Sequence, residues 1–114
     1  MSLAQHDIVI VTPVYEDQEA SGRLFKELGN ELGQRVYVVA VDDGSVRQPL
    51  DIASLREGGI AGTVLKLRRN VGHQRAIAIG LSYAAESLVP GQKVVVMDSD
   101  GEDLPSTIQA LLVQ

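Results

Sequence analysis

Three short acidic segments of this sequence combine residue types and spacing that could bind a metal ion and a phosphate. The segments are Tyr15-Glu16-Asp17, Asp42-Asp43 and Asp98-Ser99-Asp100. In an extended chain, side chains two residues apart point the same way, so Asp98 and Asp100 present two carboxylates together. A hard divalent cation prefers oxygen ligands of this kind and keeps open positions for phosphate oxygens.

The same acidic residues also have a structural interpretation. Asp residues after strands commonly form turns or cap the next helix, and four are placed to do so: Asp42, Asp43, Asp98 and Asp103. If all three segments share one rim, their carboxylates repel unless a cation, a hydrogen-bond-donating ligand or a proton holds them together. Turn-formers and caps need not converge on one rim, so convergence favours a ligand site.

The elements that must position these segments alternate between short apolar strands and amphipathic helices. Strands are predicted over Ile8–Thr12, where Pro13 ends the strand, and over Val36–Val41, Thr63–Leu67 and Lys93–Met97. Helices are predicted over Asp17–Leu32, over Leu50–Glu57, after the loop Asn70–His73 as far as Leu88, and from near Pro105.

This alternation predicts an α/β fold, a Rossmann-like three-layer α/β/α arrangement with a mainly parallel sheet. Right-handed crossovers favour the strand order 3-2-1-4. In this order the side on which successive strands are added to the sheet reverses between strands 1 and 4. Ligands of such sheets bind outside the carboxyl ends of the strands at that reversal, which is where the acidic segments fall.

Composition and charge exclude several classes of function. The chain has 114 residues, 45% hydrophobic and 22% charged, which is typical of one small globular domain or part of a larger one. A net charge of −5, with Arg68-Arg69 as the one adjacent basic pair, argues against a nucleic-acid partner. The absence of cysteine excludes a disulfide scaffold, a zinc ribbon and a thiol nucleophile. No apolar run approaches the ~20 residues of a membrane span, and we expect a cytoplasmic location.

Other phosphate-handling motifs fit the sequence less well. There is no G-x-G-x-x-G after the first strand, no P-loop and no G-x-S-x-G. Asp98-Ser99-Asp100-Gly101 resembles the Asp-x-Asp-Gly-Thr motif of haloacid-dehalogenase-type phosphatases, in which Asp98 would be the nucleophile. Glu102 stands where that motif has Thr, and the 14 residues that follow Asp100 are too few for the remaining motifs of the phosphatase family.

Four segments, in order and in spacing, resemble the front half of a family 2 glycosyltransferase with the GT-A fold. Residues 8–17 resemble that family's first strand followed by P-V-Y-N-E, and Val41–Ser45 matches V-D-D-G-S. Asn70–Ala76 resembles N-x-G-x-x-x-A, and residues 98–105 resemble D-x-D with a following acidic residue and proline. Within this segment, Gly72-His73-Gln74 resembles the branch of the family that includes the dolichol- and polyprenyl-phosphate sugar transferases.

The resemblance implies a role for each matched position. Those implied to bind the nucleotide sugar are Pro13, Tyr15, Glu16, Asp17, Asp43, Gly72, Arg75 and Asp98. Asp43 would hydrogen-bond the base, while Asp42 would be mainly structural. Asp100, with Asp98, would bind Mg²⁺ or Mn²⁺ bridging the diphosphate. Glu16 stands where the family usually has Asn, and Asp17 where it usually has Glu.

The resemblance also implies what lies elsewhere. Residues 1–114 would be the N-terminal, nucleotide-sugar-binding part of the catalytic domain, without its acceptor half and catalytic base. We therefore expect no transferase activity from this chain alone, a parent protein at the inner face of a membrane, and homo-oligomers through an exposed edge at the fourth strand. The second hypothesis is a non-catalytic nucleotide- or metal-binding module, and the third is the dehalogenase-type phosphatase.

Overall fold

A computed structural model describes residues 3–97 of the chain as a four-stranded parallel sheet. The strands are β1 (Ile8–Val14), β2 (Val36–Asp42), β3 (Ala61–Lys66) and β4 (Lys93–Val96), in the spatial order β3-β2-β1-β4. This confirms the predicted fold class and strand order. The helix expected near Pro105 lies outside the described residues.

Helices cover both faces of the sheet. They are α1 (Gln18–Glu31), α2 (Ile52–Glu57) and α3 (His73–Ala85), with 3-10 turns at Leu3–Gln5 and Gly33–Arg35. In residues 3–97, no helix is long and apolar enough to cross a membrane.

Alternation of side chains along the strands divides the core into two layers. Ile8, Ile10 and Val14 of β1 pack with residues of α1 and α2, including Phe25 and Leu55. On the opposite face, Val9, Val11, Val39 and Val41 pack with Ala76 and Ala84 of α3. The β-branched residues of β1 and β2 are therefore buried on both faces, as their unbroken apolar pattern predicts.

Strand β1 continues through Pro13, which was predicted from the sequence to end it. Proline is tolerated here because of the side toward which its backbone nitrogen points. The carbonyl of Val14 points toward β2 and accepts from Asp43 N, whereas the carbonyl of Val11 points toward β4 and accepts from Met97 N. By this alternation the backbone nitrogen of Pro13 faces the β4 side, and the register with β4 includes only Ile8 to Val11. The missing N–H therefore breaks no bond of the described ladder.

The remaining helix boundaries are close to those predicted, with two differences. Helix α2 begins at Ile52 because the Asp51 side chain caps it, accepting from Ala53 N at 3.0 Å. Helix α3 ends at Ala85, before the predicted Leu88, which is exposed. Pro90 disfavours helical backbone in the residue before it, so the chain leaves the helix ahead of that point.

Candidate functional site

A shallow cleft of about 190 Å³ lies at the carboxyl ends of β1 and β2. It is lined by Pro13, Val14, Tyr15, Asp43, Asn70, Gly72 and His73. These residues come from three of the segments that carry the family resemblance, and β1 lies beside β4 at the reversal of strand order. The fold therefore brings three of the four segments to the expected place.

Asp43 lines this cleft and is only 3% exposed. Its carboxylate accepts hydrogen bonds from Val71 N at 2.8 Å, Gly72 N at 3.2 Å and Asn70 Nδ2 at 3.1 Å. The carboxylate thus joins the end of β2 to the loop before α3. Two of these bonds reach Oδ2 and one reaches Oδ1, which leaves acceptor capacity on Oδ1.

Asp42 is buried and is not among the residues that line the cleft. Its Oδ1 accepts from Ser45 N at 3.0 Å and its Oδ2 from Leu50 N at 2.9 Å. A buried carboxylate is stable only when donors of this kind replace water. Asp42 therefore shapes the loop between β2 and α2, in agreement with the structural role implied for it.

Glu16, in the turn after β1, binds the same loop through its side chain. Its carboxylate accepts from Val46 N, Arg47 N and Gln48 N at 3.1, 3.0 and 2.8 Å. The bond from Gln48, followed by those from Val46 and Arg47, holds the pKa of the Glu16 carboxyl below its ordinary value of 4.5. Glu16 adopts a φ of 49°, in the left-handed region.

Asp17 begins α1 as its N-cap. Its side chain accepts from Ala20 N at 3.1 Å, and its backbone carbonyl accepts from the hydroxyl of Ser21 at 2.8 Å. Such a cap satisfies one of the backbone N–H groups that a helix leaves free at its start.

The start of α3 borders the cleft without a side-chain cap. Gly72 is the N-cap residue and has a φ of 98°, which a residue with a Cβ adopts only under strain. Arg75, on the first turn, is exposed and is not among the residues lining the cleft.

The described acidic residues at this edge are thus held by the chain's own donors. From the sequence, we expected a cation, a donating ligand or a proton to keep them together, and backbone N–H groups serve Glu16, Asp17, Asp42 and Asp43. Among residues 3–97, no three His, Asp or Glu side chains form a group that could hold a metal ion. The candidate ligands Asp98 and Asp100 lie outside the described residues.

The comparison with known families is decisive. The sequence model of Glycosyl transferase family 2 matches residues 9–113. The chain belongs to this family. The assignment confirms the resemblance drawn from the four segments and favours the glycosyltransferase interpretation over the dehalogenase-type phosphatase.

Individual relatives in the family are longer proteins. An uncharacterized glycosyltransferase, YkcC, of Bacillus subtilis (strain 168) is 34% identical over 110 residues, which cover 90% of this chain and 32% of YkcC. The undecaprenyl-phosphate 4-deoxy-4-formamido-L-arabinose transferase of Enterobacter sp. (strain 638) is 30% identical over 116 residues, which cover 97% of this chain and 34% of that protein. The chain spans about a third of the length of these relatives.

A solved structure supports the GT-A fold of this family 2 chain. The crystal structure of S. aureus TarS superposes with a TM-score of 0.73 at 22% identity, covering 94% of this chain and 19% of TarS. The crystal structure of TarS 1-349 in complex with UDP-GlcNAc matches with a TM-score of 0.63 at 24% identity, over 94% of this chain and 30% of that one.

Some cleft residues were not assigned as binding residues from the sequence. Val14, Asn70 and His73 line the cleft. Asn70 and His73 belong to the N-x-G segment, so the family pattern carried a signal for both. Val14 had no such signal, because its type is that of one more apolar residue in a buried strand.

Proposed function

We propose that this chain binds the donor of a glycosyltransferase that transfers a sugar from a UDP- or GDP-sugar to an acceptor such as a polyprenyl phosphate or a glycan. The observation that carries the proposal is the cleft in which Tyr15, Asp43 and Gly72 meet at the carboxyl edge of a family 2 fold. The names of relatives that use undecaprenyl phosphate support the acceptor class.

The nucleoside would lie against Pro13 and Tyr15. Tyr15 is 53% exposed and lines the cleft, so its ring is accessible to a base. Asp43 would accept from the base with the capacity remaining on Oδ1. Uracil and guanine both carry a ring N–H that can donate to such a carboxylate, so this contact alone does not choose between UDP and GDP.

The diphosphate would be held through Mg²⁺ or Mn²⁺ on Asp98 and Asp100. The chain carries a net charge of −5, and the described carboxylates at this edge offer no metal group of their own. An anionic diphosphate needs positive charge here, and oxygen ligands in a D-x-D pattern suit either ion. When bound, the ion would stabilise the negative charge that develops on the leaving diphosphate. Gly72, Arg75 and Asp17 would border the donor on the remaining sides.

The acceptor site and the catalytic base would belong to a further part of the parent protein. Because the chain spans about a third of its relatives, we expect no sugar transfer by these 114 residues alone. The parent would act in the cytoplasm at the inner face of a membrane. Strand β4 is at one end of the described sheet, and we expect chains to associate through this edge in the absence of a covering segment.

Calorimetric titration of the chain with UDP and with GDP, each with and without Mn²⁺, tests the proposal. We expect metal-dependent binding of one nucleotide, lost in Asp100→Ala and retained in Asp7→Ala, which changes an exposed carboxylate before β1. Absence of binding by the folded chain would contradict the proposal. Phosphate release from p-nitrophenyl phosphate, lost in Asp98→Asn, would instead support the phosphatase.

A further inference from the structure

The loop between β2 and α2 is held largely by carboxylates. Asp42 accepts from the backbone N–H groups of Ser45 and Leu50, and Glu16 accepts from those of residues 46, 47 and 48. Three successive N–H groups converging on one anion form the kind of backbone concavity that proteins use to bind anionic groups. Here the anion is supplied by the turn that follows β1.

The turn is tied to the loop through its backbone as well. Glu16 N donates to Ser45 Oγ at 2.8 Å, and Gln18 N, at the start of α1, donates to Gln48 Oε1 at 3.0 Å. Glu16 adopts a φ of 49°, a conformation that is unfavourable for a side chain of this length. The long-range bonds of Glu16 therefore hold the turn in a conformation that it would not favour by itself.

Tyr15, the residue just before this turn, lines the cleft and is 53% exposed. An exposed ring has little packing of its own to fix it, so its position depends on the backbone that carries it. That backbone is fixed on one side by β1 and on the other by the Glu16 bonds to residues 45–48.

We propose that Glu16 is a positioning residue for the nucleoside: its carboxylate clamps the 46–48 backbone and thereby orients Tyr15 toward the cleft. The clamp acts through Tyr15 and not by direct contact, since the carboxylate faces the loop. This role rests on the proposed function, because it presumes that the Tyr15 side of the cleft receives a nucleotide. The family pattern has Asn at this position, and the proposed role explains why a carboxylate stands here instead.

Titration of the wild-type chain, Glu16→Gln and the control Glu19→Gln with UDP and with GDP, each in the presence of Mn²⁺, tests the clamp. Glu19 is an exposed carboxylate on the first turn of α1, outside the cleft. We expect Glu16→Gln to weaken binding about tenfold and Glu19→Gln to leave it unchanged, because a neutral amide cannot accept from three converging N–H groups as a carboxylate does. Glu16→Asp, which keeps the charge on a shorter side chain, should recover part of the loss.

Two further readouts separate positioning from a general loss of structure. In a Tyr15→Ala background, Glu16→Gln should have little further effect on the affinity for the nucleotide that the wild type binds, because the two residues act through one contact. The amide NMR signals of residues 46–48 should shift in Glu16→Gln while the core signals of β1 and β2 stay in place. Additive losses of affinity, or equal affinity of Glu16→Gln and wild type, would overturn the clamp and leave the proposed function standing. Failure of the wild-type chain to bind either nucleotide would overturn both.

Discussion

Replacing Asp43 by Asn tests how far a single buried carboxylate holds the candidate site together. The carboxylate accepts from two backbone N–H groups and one side-chain amide in the 70–72 loop, at 2.8 to 3.2 Å, and it is 3% exposed. Asn has nearly the same shape, so the substitution removes charge and acceptor capacity with little change in packing.

The expected loss follows from these three bonds. The amide introduced by the substitution offers one acceptor oxygen, so at least one donor of the loop must face an NH₂ group. Hydrogen bonds to a charged acceptor contribute about 1.5–3 kcal/mol each, and a buried donor left without a partner costs about 1–3 kcal/mol. We expect Asp43→Asn to lower the free energy of unfolding by about 3 kcal/mol, a large share of the ~5–15 kcal/mol typical of a domain.

Urea denaturation followed by circular dichroism measures this loss, with Asp51→Asn as the matched control. Asp51 is an exposed N-cap of α2, a position where Asn caps about as well as Asp, so its substitution should change stability by less than ~0.5 kcal/mol. Asp43→Asn should also abolish binding of the nucleotide that the wild type binds. For Asp43→Asn, an unfolding free energy within ~0.5 kcal/mol of wild type would refute the view that this carboxylate holds the 70–72 loop.

Three other comparisons test the same structure. Gly44→Ala should destabilise the fold by at least ~2 kcal/mol in urea denaturation, because Gly44 has a φ of 78° and a Cβ would lie 2.5 Å from Asn70 N; wild-type stability would contradict this close approach. Thr12→Val should raise the midpoint of thermal unfolding, since the buried Thr12 hydroxyl has no hydrogen-bond partner within residues 3–97; a lower midpoint would reveal a partner. The wild type should lose stability relative to Glu16→Gln as the pH falls below 4.5 through the lowered pKa of Glu16, where its bonds to the loop and its attraction to Arg47 disappear; parallel pH profiles would contradict that shift.

The sheet could be predicted from the sequence because its signal is local. Residues 8–11 and 36–41 are unbroken apolar runs rich in β-branched residues, and such runs form strands buried on both faces. Helical spacing predicted α1 with nearly its observed bounds, and the structure adds the Asp17 cap at its start. Pro13 was wrongly predicted as a strand end because its tolerance depends on which neighbouring strand its backbone faces, and that becomes known only with the sheet register.

The edge at which the described acidic residues meet could be predicted from the sequence, but their hydrogen-bond partners could not. The parallel strands predicted that Glu16, Asp17, Asp42 and Asp43 lie at one edge, yet which donors satisfy them depends on contacts between distant residues. Glu16 is bound to residues 30 to 32 positions away, and Asp43 to a loop 27 to 29 positions away. No local pattern encodes such pairs. From the sequence, Glu16 was consequently assigned to the ligand, whereas its carboxylate faces the loop.

The most direct test of the central claim is an NMR titration of the ¹⁵N-labelled chain with UDP and, separately, with GDP in the presence of Mg²⁺, because it locates the bound nucleotide. We predict that the largest amide shifts fall on Tyr15, Asp43 and residues 71–73 around the cleft. A second groove, between α1 and α2 and containing Arg23 and Lys26, serves as the internal comparison. Shifts concentrated in that groove, or no shifts with either nucleotide, would contradict a donor site at the carboxyl edge of the sheet.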